Sequence, residues 1–311
     1  MLTEITRLIW SCVYICSLIS TIAVACVLFI RIVIGKKRSS LKKNTGNKYI
    51  IAFFHPFTNA CGGGEKVLFL ALSSIEQIAR EIKSQIIIYT VEDIDIASII
   101  DKAKERFKFE LDSNDIKLVN IRKRYFIDQT SMVRLSLLSQ AIGNIISVIE
   151  AIFTYPPDIF IDTMGVGFAY PFVKIFCSST KLISYTHYPF IQTDMLSLAR
   201  TKFKKYYYKA MIFLYKVIGF FPDLVFANSS WTYDHLRYLW GNLDKIHILF
   251  PPCNTSEYSR IPLGTSKKNI IVSFSQFRPE KEQDKQIKAF RILLDENKGV
   301  SDPHLILIGN I

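Results

Sequence analysis

Five groups of residues in this sequence have types and spacing suited to chemistry. His55, Thr186-His187 and Asn228-Ser229-Ser230 each follow a run of strand formers. Gly62-Gly63-Gly64 precedes Glu65, Lys66 and a helical pattern, and Arg278 and Lys281 lie between a later strand pattern and its helix. A glycine inside regular structure costs about 0.5–1 kcal/mol, so three in succession imply a backbone that closely approaches a ligand. The helix that follows offers unpaired N–H groups and a positive dipole end, which favour an anion. Arg278 and Lys281 can reach a diphosphate at the start of their own helix. At an effective dielectric near 20, each contributes about 4 kcal/mol at 4 Å before desolvation. That is enough to assist a nucleoside diphosphate leaving group.

Two familiar phosphate loops do not fit. No Gly-Lys pair follows Gly62 at the Walker spacing, and Val67 stands where a dinucleotide fingerprint needs its third glycine. Asp93-Ile94-Asp95 forms a DxD string that can hold a metal in some transferases. Here it lies between a strand pattern and a helix pattern, where acidic residues favour the dipole, and no metal is expected.

Positioning these groups requires an α/β fold. Strand patterns cover Tyr49–Phe54, Gln85–Tyr89, Ile116–Ile121, Asp158–Ile161, Lys181–Tyr185, Leu224–Ala227 and Ile246–Leu249. Helix patterns cover Lys66–Arg80, Ile94–Phe107, Met132–Phe153 and Trp231–Trp240. Apolar strands alternating with amphipathic helices predict βαβ units and a parallel sheet covered on both faces, with ligands beyond the carboxyl ends of the strands. The three polar strand ends and the glycines can therefore converge on one crevice. The expected domain runs over 49–255, with a linker over 256–268. A second α/β unit starts at Asn269 and, with two strands and one helix, is expected to be incomplete.

The 311 residues carry a net charge of +12, and 50% are hydrophobic. Lys36, Lys37, Arg38, Lys42, Lys43 and Lys48 cluster beside an apolar segment, a pattern that favours a membrane surface over nucleic acid. Leu8–Ile30 contains no charge, and as a helix it measures about 35 Å, enough to cross a bilayer core of about 30 Å. The alternative is a cleaved signal peptide ending near Ala23-Val24-Ala25, but the apolar run exceeds the usual length. We therefore expect residues 1–7 in the lumen, an anchor over 8–34, a basic linker over 35–48 and the bulk of the chain in the cytosol. Lys202–Phe221 combines three tyrosines and several lysines with an apolar run. It fits either a buried helix or one lying among lipid headgroups. The six cysteines show no paired or metal-ligand spacing.

The strings HPFTNACGGGEKVL, SYTHYPFIQTDML, NSSWT, FPPCNT and SQFRPEK, in order from about Tyr49 to Gln286, resemble the dolichol-pathway α-1,2-mannosyltransferases. The resemblance implies a GT-B glycosyltransferase with retaining chemistry, GDP-mannose as donor and no cofactor or metal. It also implies a dolichol-linked oligosaccharide as acceptor, the cytosolic face of the endoplasmic reticulum as location, and other mannosyltransferases of that pathway as partners. By the same resemblance, Gly62, Gly63, Gly64, Arg278 and Lys281 hold the donor diphosphate, and His187 lies near the transferred sugar. His55, Asn228, Ser229 and Gln276 are further contact candidates. Cys61 stands where the family usually has glycine, and the family's two glutamates eight positions apart do not occur before Ile311. A catalytically inactive, membrane-bound protein that binds acceptor or partner is the alternative.

Overall fold

A computed structural model describes the chain except residues 1, 60–61, 113–115, 123–135, 198, 242–243, 254, 256–257, 263–268, 278–280, 297–298, 300 and 310–311. It divides into a unit over 1–252 and a second over 253–311.

In the first unit seven strands form one parallel sheet: β1 (Tyr49–Phe54), β2 (Ser84–Thr90), β3 (Ile116–Asn120), β4 (Ile159–Asp162), β5 (Lys181–Thr186), β6 (Leu224–Ala227) and β7 (Ile246–Ile248). Their order is β3-β2-β1-β4-β5-β6-β7, so the winding reverses between β1 and β4. That reversal opens a crevice above the carboxyl ends of these two strands. Apolar runs such as YIIAFF suit this setting because a central parallel strand is buried on both faces. Ile51 and Phe53 pack beneath α2 (Gly63–Glu81) and α3 (Ile96–Phe107), while Ile50, Ala52 and Phe54 point into the opposite core. That core is closed by α4 (Ser136–Thr154), α5 (Tyr170–Phe176), α6 (Lys202–Ile218) and α7 (Ser230–Trp240). Phe160 is fully buried at its centre, with ring centroids 6.0 Å from both Phe54 and Tyr89. Helix α5 was not anticipated, because seven residues with Pro171 in the first turn give no helical period to read.

The expected basic linker over 35–48 is corrected. One helix, α1, runs unbroken from Leu2 to Thr45. Four of its basic residues, Arg31, Lys37, Arg38 and Lys42, are bound near the amino-terminal ends of the strands. Arg31 donates to Ile175 O at 2.6 Å and Lys37 to Phe153 O at 2.7 Å, satisfying last-turn carbonyls of α5 and α4. Arg38 donates to Pro157 O and to the hydroxyls of Ser179 and Thr180, and Lys42 donates to Asp158. Ile34 is buried among these contacts. Hydrogen bonds to charged groups contribute about 1.5–3 kcal/mol, so Arg38→Ala is expected to lower unfolding stability by that amount, as read by urea denaturation in detergent. Lys36→Ala, which removes no such bond, serves as the reference. The apolar part of α1 meets the length and hydropathy of a membrane span, and residues 9–26 are exposed. Helix α4 is also apolar enough, but its Ala141, Val148, Ala151 and Ile152 are buried in the protein core.

Helix α6 presents two apolar faces. Met211, Ile212, Tyr215 and Ile218 enter the core. On the opposite side Phe203, Tyr206 and Phe213, with Phe220 just beyond the helix, are 65–72% exposed. The spacing from Phe203 through Tyr206 and Phe213 to Phe220 places them along one stripe. The ammonium groups of Lys204 and Lys209 lie over the rings of Tyr208 and Tyr206.

The second unit is a single βαβ motif: β8 (Ile270–Phe274), α8 (Gln283–Asp295) and β9 (His304–Ile308), with β8 and β9 parallel. Its strands and helix contain no fully buried residue, and Phe274 is 82% exposed.

Candidate functional site

The reversal between β1 and β4 brings together residues distant in sequence. Phe54 pairs with Asp162 in register, so His55 and Thr163 emerge side by side at the strand ends. Thr163 Oγ1 lies 2.9 Å from Phe54 O and 2.7 Å from His55 Nδ1. A carbonyl only accepts, so both contacts are hydrogen bonds when Thr163 donates to Phe54 O and His55 Nδ1 donates to Thr163. His55 Nε2 then faces Glu65 Oε1 at 3.3 Å.

Glu65 is the third residue of α2, and its second carboxylate oxygen accepts from Gly62 N at 2.6 Å. This corrects the expected helix start. Gly62 is the N-cap, and Gly63 and Gly64 form the first turn rather than a loop before it. Their N–H groups precede the first intrahelical bond, which Lys66 N makes to Gly62 O at 3.1 Å. Gly64 lies beside both imidazoles of this strand end. A methyl group on Gly64 would stand 3.7 Å from His187 Nε2 and 3.8 Å from His55 Cε1, filling the gap between two imidazoles.

His187, one residue beyond β5, completes the cluster. Its ring packs edge-on against Tyr185 at 5.0 Å, and its buried Nε2 has no hydrogen-bond partner. Burial and the charge of His55 push its pKa below the ordinary imidazole value, with Glu65 opposing. For Glu65, burial works against ionisation, but the His55 hydrogen bond and charge and the backbone donors outweigh it, and its pKa is lowered. The cluster therefore places a carboxylate on His55 and a neutral imidazole at His187, whose open nitrogen can meet a sugar hydroxyl.

Asn228 and Ser229 follow β6 next to this strand end. Ser229 Oγ caps α7 by accepting from Thr232 N at 3.1 Å, and Thr232 Oγ1 reaches Asn228 Oδ1 at 2.8 Å and His187 O at 3.3 Å. Tyr188 and Trp231 stack beside them with ring centroids 5.1 Å apart. Asp95 caps α3 through Ala97 N and Ser98 N, which accounts for the DxD string structurally. Three contributors were missed. Thr163 follows a strand end as His55 does, and the same rule applied to β4 would have found it. The sequence places Glu65 only at the opening of a helix. Glu92 accepts from Thr58 N, Thr58 Oγ1 and Asn59 N, tying the segment after His55 to the end of β2. A lone glutamate after a strand offers no such signal.

In the second unit, Gln276 and Lys281 are exposed, and their carbonyls accept from Gln283 and Gln286. Arg278 and Cys61 lie outside the described residues.

A parallel sheet with a glycine-started helix at its winding reversal defines the class: a Rossmann-like unit whose winding reverses between β1 and β4. The chain belongs to the family described as ALG11 mannosyltransferase N-terminus, which matches residues 48–240. It is 38% identical over 296 residues to the GDP-Man:Man(3)GlcNAc(2)-PP-Dol alpha-1,2-mannosyltransferase of Kluyveromyces lactis, covering 88% of this chain and 51% of the relative. The human protein of the same name is 36% identical over 295 residues, covering 88% and 59%. The chain thus spans about half to three fifths of the length of these relatives. Among solved structures, the trehalose-6-phosphate phosphatase N-terminal domain of Candida albicans shares the fold at 12% identity and a TM-score of 0.50, covering 84% of this chain and 64% of that one.

Proposed function

We propose that this chain forms the membrane-bound, acceptor-side part of a retaining α-1,2-mannosyltransferase. It uses GDP-mannose to extend a dolichol-diphosphate-linked oligosaccharide for protein N-glycosylation, on the cytosolic face of the endoplasmic reticulum. The observation that carries this reading is the family match over 48–240, which contains both the glycine-started α2 and His187. The relatives' name supplies the acceptor class, a Man(3)GlcNAc(2)-PP-Dol lipid.

In this mechanism the bond from the anomeric carbon to the diphosphate oxygen breaks on the face where the acceptor hydroxyl forms its new bond. The hydroxyl proton passes to the departing diphosphate. Arg278 and Lys281 neutralise that leaving group, and no metal is needed. His187 Nε2 meets the transferred mannose. His55 acts behind it, and Asn228, Ser229 and Gln276 are polar contacts for donor or acceptor. Helix α1 spans the bilayer with its first residues in the lumen. The exposed aromatic stripe of α6, flanked by lysines, rests among the headgroups. Other mannosyltransferases of the same pathway are the protein partners.

The test supplies radiolabelled GDP-mannose and lipid-linked Man(3)GlcNAc(2) to this chain and to a version extended to the relatives' length. Label should appear in a larger lipid-linked product with the extended version, and Arg278→Ala or Lys281→Ala should weaken GDP-mannose binding. Unchanged binding in both variants sinks the assignment of the cations. Acceptor binding without transfer by either protein replaces the enzyme reading with a binding role.

A further inference from the structure

The carboxylate of Glu65 has two separate duties. One oxygen holds Gly62 N, which sets the start of α2, and the other holds His55 Nε2. His55 is in turn fixed through Nδ1 to Thr163, and so to the end of β4. One side chain therefore links the glycine turn, β1 and β4 at the point where the winding reverses. His187 Nε2, buried and unpartnered, faces the same glycine as the His55 ring.

We propose that Glu65 is a positioning residue: by binding Gly62 and His55 together it locks the glycine turn against the histidine pair and sets the gap into which the open nitrogen of His187 points. This inference rests on the transferase reading for its kinetic consequence only. Proton accounting gives the lock a definite state. With Nδ1 donating to Thr163 and an ionised Glu65 accepting from Nε2, His55 carries protons on both nitrogens. The other titratable groups that sense this charge are His187 and the buried Asp162. Glutamine at position 65 can still accept from Gly62 N through its oxygen, but its amide then presents hydrogens to His55. The ring must shed its Nε2 proton to accept them. Glu65→Gln thus preserves shape and removes charge, whereas Glu65→Ala removes both.

The experiment uses the full chain in detergent with ring-labelled histidine, of which there are five residues. The signal lost in His55→Gln identifies His55. Nitrogen spectra should show two protonated nitrogens on His55 in the parent protein and one in Glu65→Gln, at the same pH and with both proteins folded. An identical His55 pattern in both proteins overturns the proposal. In the extended protein, Glu65→Gln should lower kcat about 10- to 100-fold with little change in KM for GDP-mannose, and Glu65→Ala should lower it further. Unchanged kcat in both variants also overturns it. If the parent protein transfers no mannose, the transferase reading fails while the spectra still decide the lock.

Discussion

Replacing His187 by alanine is expected to reduce mannosyl transfer by about 100- to 1,000-fold, the usual loss when one polar group acting on the transition state is removed. Folding should be almost unaffected. Nε2 makes no hydrogen bond in the folded protein, and Thr232 binds the backbone carbonyl of His187, which alanine retains. Initial rates in the extended protein, beside a denaturation curve, separate the two effects. A rate within about threefold of the parent would remove His187 from the mechanism. The same substitution has a pH signature. The folded protein holds His187 below its ordinary value of 6.5. As pH falls below about 6.5, the unfolded chain takes up a proton that the folded chain refuses, so stability declines until pH passes the folded value. His187→Ala should flatten that part of the stability profile. Glu65 acts in a separate window. Its lowered value contributes stability above its unfolded pKa, which is lost as pH falls below about 4.5 through the folded value.

The largest expected loss of stability is that of Phe160→Ala, about 3–5 kcal/mol. The ring lies on the central strand β4 and stands beside Phe54 of the adjacent β1 and Tyr89 of β2, within the buried core. Domains are usually stable by about 5–15 kcal/mol, so this single change removes much of the margin. Phe213→Ala provides the contrast. It removes the same atoms from an exposed site on α6 and should change stability in detergent by no more than about 0.5 kcal/mol. The assay is guanidinium or thermal unfolding of both variants, and equal losses would contradict the burial assigned to Phe160.

The sheet was legible because burial on both faces leaves continuous apolar runs. Tyr49–Phe54 and Leu224–Ala227 occur where the residue pattern predicts, and the other strands of that sheet differ by one residue at one or both ends. Helix starts were less so. Gly63 and Gly64 belong to α2 because a carboxylate from the next residue caps the turn, a contact invisible to a propensity argument that reads glycine as a breaker. The basic residues after the apolar span look like a solvated linker in one dimension. Their partners, the carbonyls at Phe153, Pro157 and Ile175, are more than a hundred positions away. At the site, His55 and His187 follow strand ends and are found by that rule. The coupling between them passes through Gly64 and Glu65, and only the sheet order places those residues beside both rings.

The unbroken course of α1 has a further consequence. Its 44 residues measure about 66 Å, roughly twice the thickness of a hydrocarbon core, and its later turns are held to the first unit by four basic side chains. A stalk of this kind transmits orientation as well as attachment. With α1 set across a bilayer as proposed, the crevice would keep a fixed height and bearing above the lipid, leaving a bilayer-borne acceptor only two dimensions to search. Inserting a short flexible hinge near Gly35 would leave the protein tethered but let the crevice wander, converting a planar encounter into a slower three-dimensional one.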